Sequence, residues 1–411
     1  MHIKLINASA SLAAVAGILA SSGAARAATS VGDCSAYQPT KPHVYITGSS
    51  AAQPFVLDVA NAIKDDVVVV YYSQGSCVGV SSIFDGTVLP TGADKGLIGT
   101  DSTCTPAAAT AVDIGLSDVF ATSCAGVDEV PDGVADFHGP VQAMNFVVPA
   151  GADAATKSIS AEAAYLVFGF KPSSTFATTG KSYTDGTPWS ADADIWMRGA
   201  TSGTQSMLGI AIGVLPARWA QNATQALGGS GDMVNKIGTA TNVNTTIGIL
   251  ASNELDDNRA TVRGLAFQGY DQTCGYWPDS TSGSKDKLNV RTGKYAVWGP
   301  LHMYTKVDSN NAPERDEVAD IIGYINGEKT VSGDHPYAII EKERDKNLVP
   351  QCAMQVSRDE EIGAPSSVNP TCTCLYEETR VGHNDACVTC DDDNPCADSS
   401  LTCSYGYCEA I

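Results

Sequence analysis

The chain has 411 residues, with 25 Lys and Arg against 46 Asp and Glu, a formal net charge of −21 and 13 cysteines. So acidic a balance excludes nucleic acid and anionic membrane surfaces as electrostatic partners. The length exceeds what one hydrophobic core usually serves, so two packed domains and an appendage are expected.

Residues 1–27 carry Lys4, an apolar stretch from Leu12 to Ala20, and the small residues Ala25 and Ala27, the pattern of a cleaved secretory signal peptide. That stretch is too short to span a bilayer, no other window is long and apolar enough, and no cysteine follows Ala27 to take a lipid anchor. The expectation is a periplasmic or secreted protein with no direct membrane insertion. Losing Lys4 and Arg26 lowers the 25 basic residues to 23 against 46 acidic ones, a formal charge of −23. An anion site on such a chain must rest on local amides, hydroxyls and one or two arginines, whose short-range action is little screened.

His43 to Thr47 reads as a strand, followed by the turn Gly48-Ser49-Ser50-Ala51-Ala52-Gln53-Pro54 and a helix with Phe55, Val59 and Ile63 on one face. Ser50 and Gln53 have capping-box spacing, and Pro54 suits a first helical turn. Val67 to Tyr72 has the continuity of a buried parallel strand; Ser73-Gln74-Gly75-Ser76-Cys77-Val78-Gly79 follows, then a short helix carrying Ile83 and Phe84. A third strand, Val112 to Leu116, runs into Ser117-Asp118. Strands alternating with helices imply right-handed βαβ units and a mostly parallel sheet, with ligands beyond the carboxyl ends of the strands.

Val141 to Pro149 reads as a long strand and Ser160 to Phe168 as a helix with an N-cap serine and Glu162, the passage into a second domain; Lys171 to Trp189 is loop. Ile195-Trp196-Met197 then leads through Arg198-Gly199-Ala200-Thr201-Ser202-Gly203-Thr204 into a helical run from Met207 to Val214. At such a junction the first helical N–H groups lack partners and the helix dipole is positive, so an oxyanion is stabilised there; Arg198 adds a charged fork, Ser202 and Thr204 hydroxyls. Ser, Gly and Thr are also ordinary turn and cap residues, so this turn alone reads equally as a helix start. Gly228 to Gly231 is a loop, Thr246 to Leu250 a strand, and Ala296 to Tyr304 a strand crossing back to the first domain. Glu317 to Ile325 is an amphipathic helix, Tyr337 to Lys342 another, and Gly363 to Pro370 a linker.

Taken together, Gly48-Ser49-Ser50 with Pro54, Gly75-Ser76 with Gly79, Asp113-Ile114-Gly115-Leu116-Ser117-Asp118, and Arg198 with Ser202-Gly203-Thr204 make a series. Over roughly residues 42–360 it resembles the phosphate-binding proteins of ABC transporters, the PstS-like branch of the type II periplasmic binding proteins. The resemblance implies an α/β fold, a hinged clamshell of two domains, each a mixed, mostly parallel sheet flanked by helices. Domain I would take 42–140 and 297–360, domain II 141–296, with a linker at 361–371 and a cysteine-rich module at 372–411. It implies inorganic phosphate as ligand, an inner-membrane ABC permease as partner, and no cofactor. Ser76, Asp118, Arg198, Ser202, Gly203 and Thr204 fall on the family's ligand positions. The first turn departs from the family pattern, having Ala52 and Gln53 where a threonine hydroxyl is usual; the backbone amides of Ala52 and Gln53, with Ser50, are the substitutes.

Asp118 gives this reading a chemical edge, because phosphate near neutral pH still carries a proton to donate to a carboxylate whereas sulfate carries none. In isolation Asp118 reads as a helix N-cap and Arg198 as a surface ion pair. His138 and His302 read as core histidines, and the six histidines show no metal spacing. Cys387-Val388-Thr389-Cys390 has zinc-knuckle spacing, but cysteines on both sides favour disulfides, and Asp391-Asp392-Asp393 lacks the spaced carboxylates of a calcium loop. Ser282-Gly283-Ser284-Lys285 and Arg291-Thr292-Gly293 stand too close together for an acyl-transfer site. No nucleophile or water-activating metal cluster is legible, so no catalytic residue is assigned; a phosphatase on this fold, turning over through Ser202 or Ser76, is the enzymatic alternative. The other alternative is a secreted or cell-surface interaction protein acting through its cysteine-rich tail, whose partner the sequence does not name. Thirteen cysteines leave one unpaired; Cys77 pairs with Cys104 or Cys124, and Cys274 with Cys34 or Cys352 is open.

Overall fold

The computed structural model describes residues 28–410 apart from 90–95, 172, 173, 176–178, 183, 185, 222, 335, 336, 381, 383 and 393; the leader at 1–27 and Asp393 of the acidic triplet lie outside them. The strands are β1 (Thr29–Asp33), β2 (His43–Gly48), β3 (Val68–Ser73), β4 (Gly96–Ile98), β5 (Ser102–Thr105), β6 (Ile114–Ser117), β7 (Val134–Pro149), β8 (Ser158–Ser160), β9 (Met197–Arg198), β10 (Ala226–Leu227), β11 (Gly248–Ala251), β12 (Val262–Gly264), β13 (Ala266–Gln268) and β14 (Trp298–Lys306). Two short hairpins follow, β15 (Val356–Ser357) with β16 (Ser366–Ser367) and β17 (Thr402–Ser404) with β18 (Tyr407–Glu409). The helices are α1 (Gln53–Ala62), α2 (Ser76–Phe84), α3 (Ala161–Gly169), α4 (Gly203–Ile212), α5 (Ser230–Gly238), α6 (Ser252–Asp257), α7 (Leu288–Arg291), α8 (Asp316–Ile325), α9 (Ala338–Asp345) and α10 (Thr373–Arg380).

The main sheet runs β1-β5-β4-β3-β2-β6-β14-β7-β11, with β12 also on β7. Its three site-bearing strands, β3, β2 and β6, are parallel, and β14, β7, β11 and β12 extend the sheet antiparallel. The fold is thus a mixed α/β one. β3 lies inside because Val68 to Tyr72 are β-branched or aromatic and buried on both faces. α1 buries Phe55 and Val59, and Ile63 at its C-cap continues the stripe of a 3.6-residue period, with Pro in the first turn. α8 carries Asp316 and Glu317 where the helix dipole favours negative charge and buries Val318, Ile321, Ile322 and Ile325.

β7 organises the molecule. Its first ten residues pair with β14 and its last six with β11 and β12, so one 16-residue strand serves two hydrophobic cores. One core gathers β2, α1, β6 and α8; the other gathers the end of β7 with α3, α4, α5 and β11. Ahead of the first strand read from the sequence, the N-terminal lead forms β1, which pairs in parallel with β5 and is tied there by Cys34–Cys104.

Six disulfides fit an oxidising compartment, and no helix among the described residues is long and apolar enough to cross a membrane. Cys77 pairs with Cys124, and Cys274 is the free thiol; Cys34 and Cys352, its open candidates, pair with Cys104 and Cys372 instead. Cys387 and Cys390 pair with Cys374 and Cys403, so neither is a zinc ligand. The cysteine-rich tail is packed on the body. Arg291, 1% exposed, bonds Glu377 of α10 at 2.9 Å and the Ala353 carbonyl at 3.0 Å, while Arg380 of α10 bonds the Lys285 carbonyl at 2.8 Å and reaches Asn347 and Asp256.

Candidate functional site

The carboxyl ends of β2, β3 and β6 meet because glycine stands at the end of β2. Gly48 has φ 141°, and a Cβ there would lie 1.9 Å from the Leu116 carbonyl oxygen, so no other residue permits this approach. Ser49, Ser76 and Asp118 are thereby brought together. The Asp118 carboxylate, 2% exposed, accepts from Ser49 Oγ at 2.5 Å, from Ser76 Oγ at 3.1 Å and from Gln142 Nε2 on β7. Ser76 Oγ in turn accepts the Asp118 N–H at 3.1 Å, and Ser49 Oγ accepts the Ala51 and Ala52 N–H groups, each at 3.1 Å. Burial raises the Asp118 pKa; the Ser49 and Ser76 hydrogen bonds, the nearby Arg198 charge and Gln142 oppose that rise.

The other half of the site is the fourth turn. Arg198, also 2% exposed, has its N–H held by Gln205 Oε1 at 2.8 Å. Its guanidinium donates to the Leu227 carbonyl at 3.2 Å, the Gly228 carbonyl at 3.0 Å, Ser230 Oγ at 3.3 Å and, in the first turn, Ser50 Oγ at 3.1 Å. Burial lowers its pKa while Asp118, Asp232 and Glu254 act against the loss of the charge. Ser202 is the N-cap of α4, accepting the Gln205 N–H at 3.4 Å, and Thr204 is buried in the first turn. A Cβ on Gly203 would stand 2.3 Å from Ser76 Oγ and 2.9 Å from Asp118 Cβ, so α4 begins in direct contact with the opposite half of the site. The Cys77 N–H closes the same seam by donating to the Thr201 carbonyl at 3.0 Å.

All four turns read from the sequence therefore converge. Ser50, Ser76, Asp118, Arg198 and Gly203 share contacts, whereas the Ala52 N–H is taken by Ser49 and the Gln53 side chain joins none of these bonds among the described residues. Neither isolated reading holds: Arg198 is not on the surface, and the helical turn after Asp118 is preceded by Phe120 as its cap. The capping box at Ser50 and Gln53 does not form, because Ser50 Oγ turns to Arg198 and Ser230, 148 and 180 residues away, and Ser49 Oγ takes the two amides just before α1. Ser49, Gln142 and Ser230 escaped the sequence reading. Gln142 is a polar residue inside an apolar strand, and Ser230, taken as loop, opens α5; both carried a legible signal.

A buried carboxyl stands behind Asp118. Glu361, from the segment read as a linker, accepts from the Phe120 N–H at 3.2 Å and Ser123 Oγ at 3.3 Å; its other oxygen is buried without a partner. Burial pushes its pKa up to about 7, with the Asp118 charge adding to the rise and Phe120, Arg358 and Ser123 opposing it. Because the folded state holds this proton more tightly than the unfolded chain, the associated stability is full below about pH 4.5 and is lost as pH rises through about 7. Glu361→Gln is expected to remove roughly 2–3 kcal/mol of that pH dependence, read as the difference in urea unfolding free energy between pH 5 and 8 for the two proteins.

No family model matches the chain, and no curated protein matches it. Among solved structures, it is similar to a Clostridium perfringens chain with bound phosphate, assigned as a phosphate ABC transporter substrate-binding protein. That likeness has 14% identity, 75% of this chain, 99% of that one and a TM-score of 0.48. It is also similar to an ABC-type phosphate transport receptor from Vibrio cholerae (15% identity, 74% and 99% of the two chains, TM-score 0.43). A third likeness is to the reduced OxyR regulatory domain from Pseudomonas aeruginosa (6% identity, 68% and 95%, TM-score 0.37).

Proposed function

We propose that the chain is an extracytoplasmic solute-binding protein that captures inorganic phosphate between its two halves and delivers it to an inner-membrane ABC permease. The observation that carries this reading is that Asp118 and Arg198 are both buried and each acts on the other's charge, while Asp118 bonds Ser76 at the start of α2 and lies against Gly203 at the start of α4. A dianionic oxyanion seated there takes over donors that now serve one another: the Ser49, Ser76 and Ser50 hydroxyls, the Arg198 fork and the first N–H groups of the helices, including those at Ala52, Gln53, Gly203 and Thr204. Its one remaining proton goes to the Asp118 carboxylate, a bond that sulfate cannot make.

Residues 42–140 with 297–360, and 141–296, are the two domains of this reading, and β7 and β14 are the strands on which they hinge. A ligand touched from both sides favours the closed arrangement, which is the form for a permease to recognise. The role is binding and release, without turnover. The test is thermal unfolding of the purified protein: phosphate at a hundred times its dissociation constant stabilises by about 2.7 kcal/mol and raises Tm, while equal sulfate leaves Tm unchanged. Equal shifts with both ions, or none with phosphate, would sink the reading.

A further inference from the structure

We propose that Asp136, His138 and His302 form a binding site for a divalent transition-metal ion of the zinc class, on the face of the crossing strands behind Asp118. Asp136 and His138 stand two residues apart on β7 and so share a face, and His302 of β14 pairs directly opposite His138. The register of β14 on β7 shifts between Pro300 and His302, an irregularity of the kind that re-aims side chains.

Asp136 Oδ2 lies 2.8 Å from His302 Nδ1 and 3.5 Å from His138 Nε2, and one donor atom from each of the three residues lies within 4.8 Å of the other two. Donors on a tetrahedral zinc ion stand about 3.3 Å apart, so small side-chain rotations seat an ion among them. Two imidazoles and one carboxylate suit zinc, cobalt or nickel rather than the all-oxygen preference of magnesium and calcium.

Two further features mark the cluster as more than a finished hydrogen-bond network. Asp136 Oδ1 and His302 Nε2 are both buried without partners, where buried polar atoms are normally paired. His138 is 39% exposed and lines a cavity of about 250 Å³ bounded by Trp298, Pro300 and Gln351, which gives an ion its entry path and room for a water as fourth ligand. The sequence hid the site because its three ligands lie on strands 164 or more residues apart in pairing, with no local metal spacing. The Phe120 ring packs 4.4 Å from that of His302 and 6.3 Å from that of His138, and none of the three ligands is among the residues that bond Asp118, so an ion here would brace the crossing strands without entering the anion site.

The experiment is a cobalt(II) titration of the tag-free, chelator-treated full chain, followed by visible absorption and confirmed by zinc competition. One equivalent is expected to bind with the intense d–d bands of four-coordinate cobalt. His138→Ala, at a partly exposed position, and Asp136→Asn are each expected to weaken binding at least tenfold with circular dichroism unchanged, while Cys274→Ser binds as before. Absence of binding, binding unaltered by His138→Ala, or binding lost in Cys274→Ser would overturn the assignment.

Discussion

Arg198→Ala is expected to lower phosphate affinity by two to three orders of magnitude. The guanidinium is 2% exposed and is the positive group facing Asp118, so its removal leaves a buried anion site without its counter-charge. Truncating one member of a buried, hydrogen-bonded charge pair costs about 2–5 kcal/mol, and about 3–4 kcal/mol corresponds to the stated loss. The same variant takes their guanidinium donor from the Leu227 and Gly228 carbonyls and leaves the Ser50 and Ser230 hydroxyls only each other, so the free protein also unfolds at a lower temperature. Arg198→Lys separates the two effects. A lysine keeps the charge but cannot serve four acceptors in a planar fork, so it recovers part of the affinity and little of the stability. Calorimetric titration of the three proteins, beside their thermal midpoints, checks both statements.

The largest effect on stability alone is expected from Lys287→Met. Lys287 is 2% exposed, and its ammonium sits between Asp256 Oδ2 at 2.5 Å and Asp279 Oδ1 at 2.8 Å. Arg259 bridges the same two carboxylates, and Arg380 of the tail approaches Asp256 at 3.4 Å. Removing the lysine leaves two buried carboxylates with one full partner, a loss of roughly 3–5 kcal/mol of unfolding free energy in urea. Lys329→Met, at the half-exposed pair with Asp320, is the contrast and should have no measurable effect. Phosphate selectivity should survive in both, since neither lysine approaches Asp118.

These two cases show why part of the molecule was legible in the sequence. Arg198 announced itself through local signals: an apolar run, a turn of small polar residues and a helical run, which together fix a strand-to-helix junction. The helices at Ser160 and Glu317 were readable for the same reason, their caps and periods being local, and α3 and α8 begin within a residue of those positions. The partners of each junction were not local. Whether Ser49 or Ser50 faces Asp118 depends on the φ of Gly48 and on Leu116, and the role of Gln142 depends on how β7 lies against the β6 turn. Lys287, Asp256 and Asp279 give no motif at all; their association is a product of packing between α6, the turn before α7 and the tail. The tail itself read as an appendage from its composition, whereas Arg291, Arg380 and the Cys352–Cys372 bridge dock it to the body through contacts of long sequence separation.

The most direct measurement of the central claim is isothermal titration of the wild-type chain and of Asp118→Asn with phosphate, arsenate and sulfate at neutral pH. Wild type is expected to bind phosphate and arsenate, both protonated oxyanions, and to reject sulfate. In Asp118→Asn, which can donate as well as accept, sulfate gains on phosphate and the selectivity narrows by at least tenfold. Wild-type chain that binds none of the three ions, or an Asp118→Asn variant that keeps full selectivity, would contradict it.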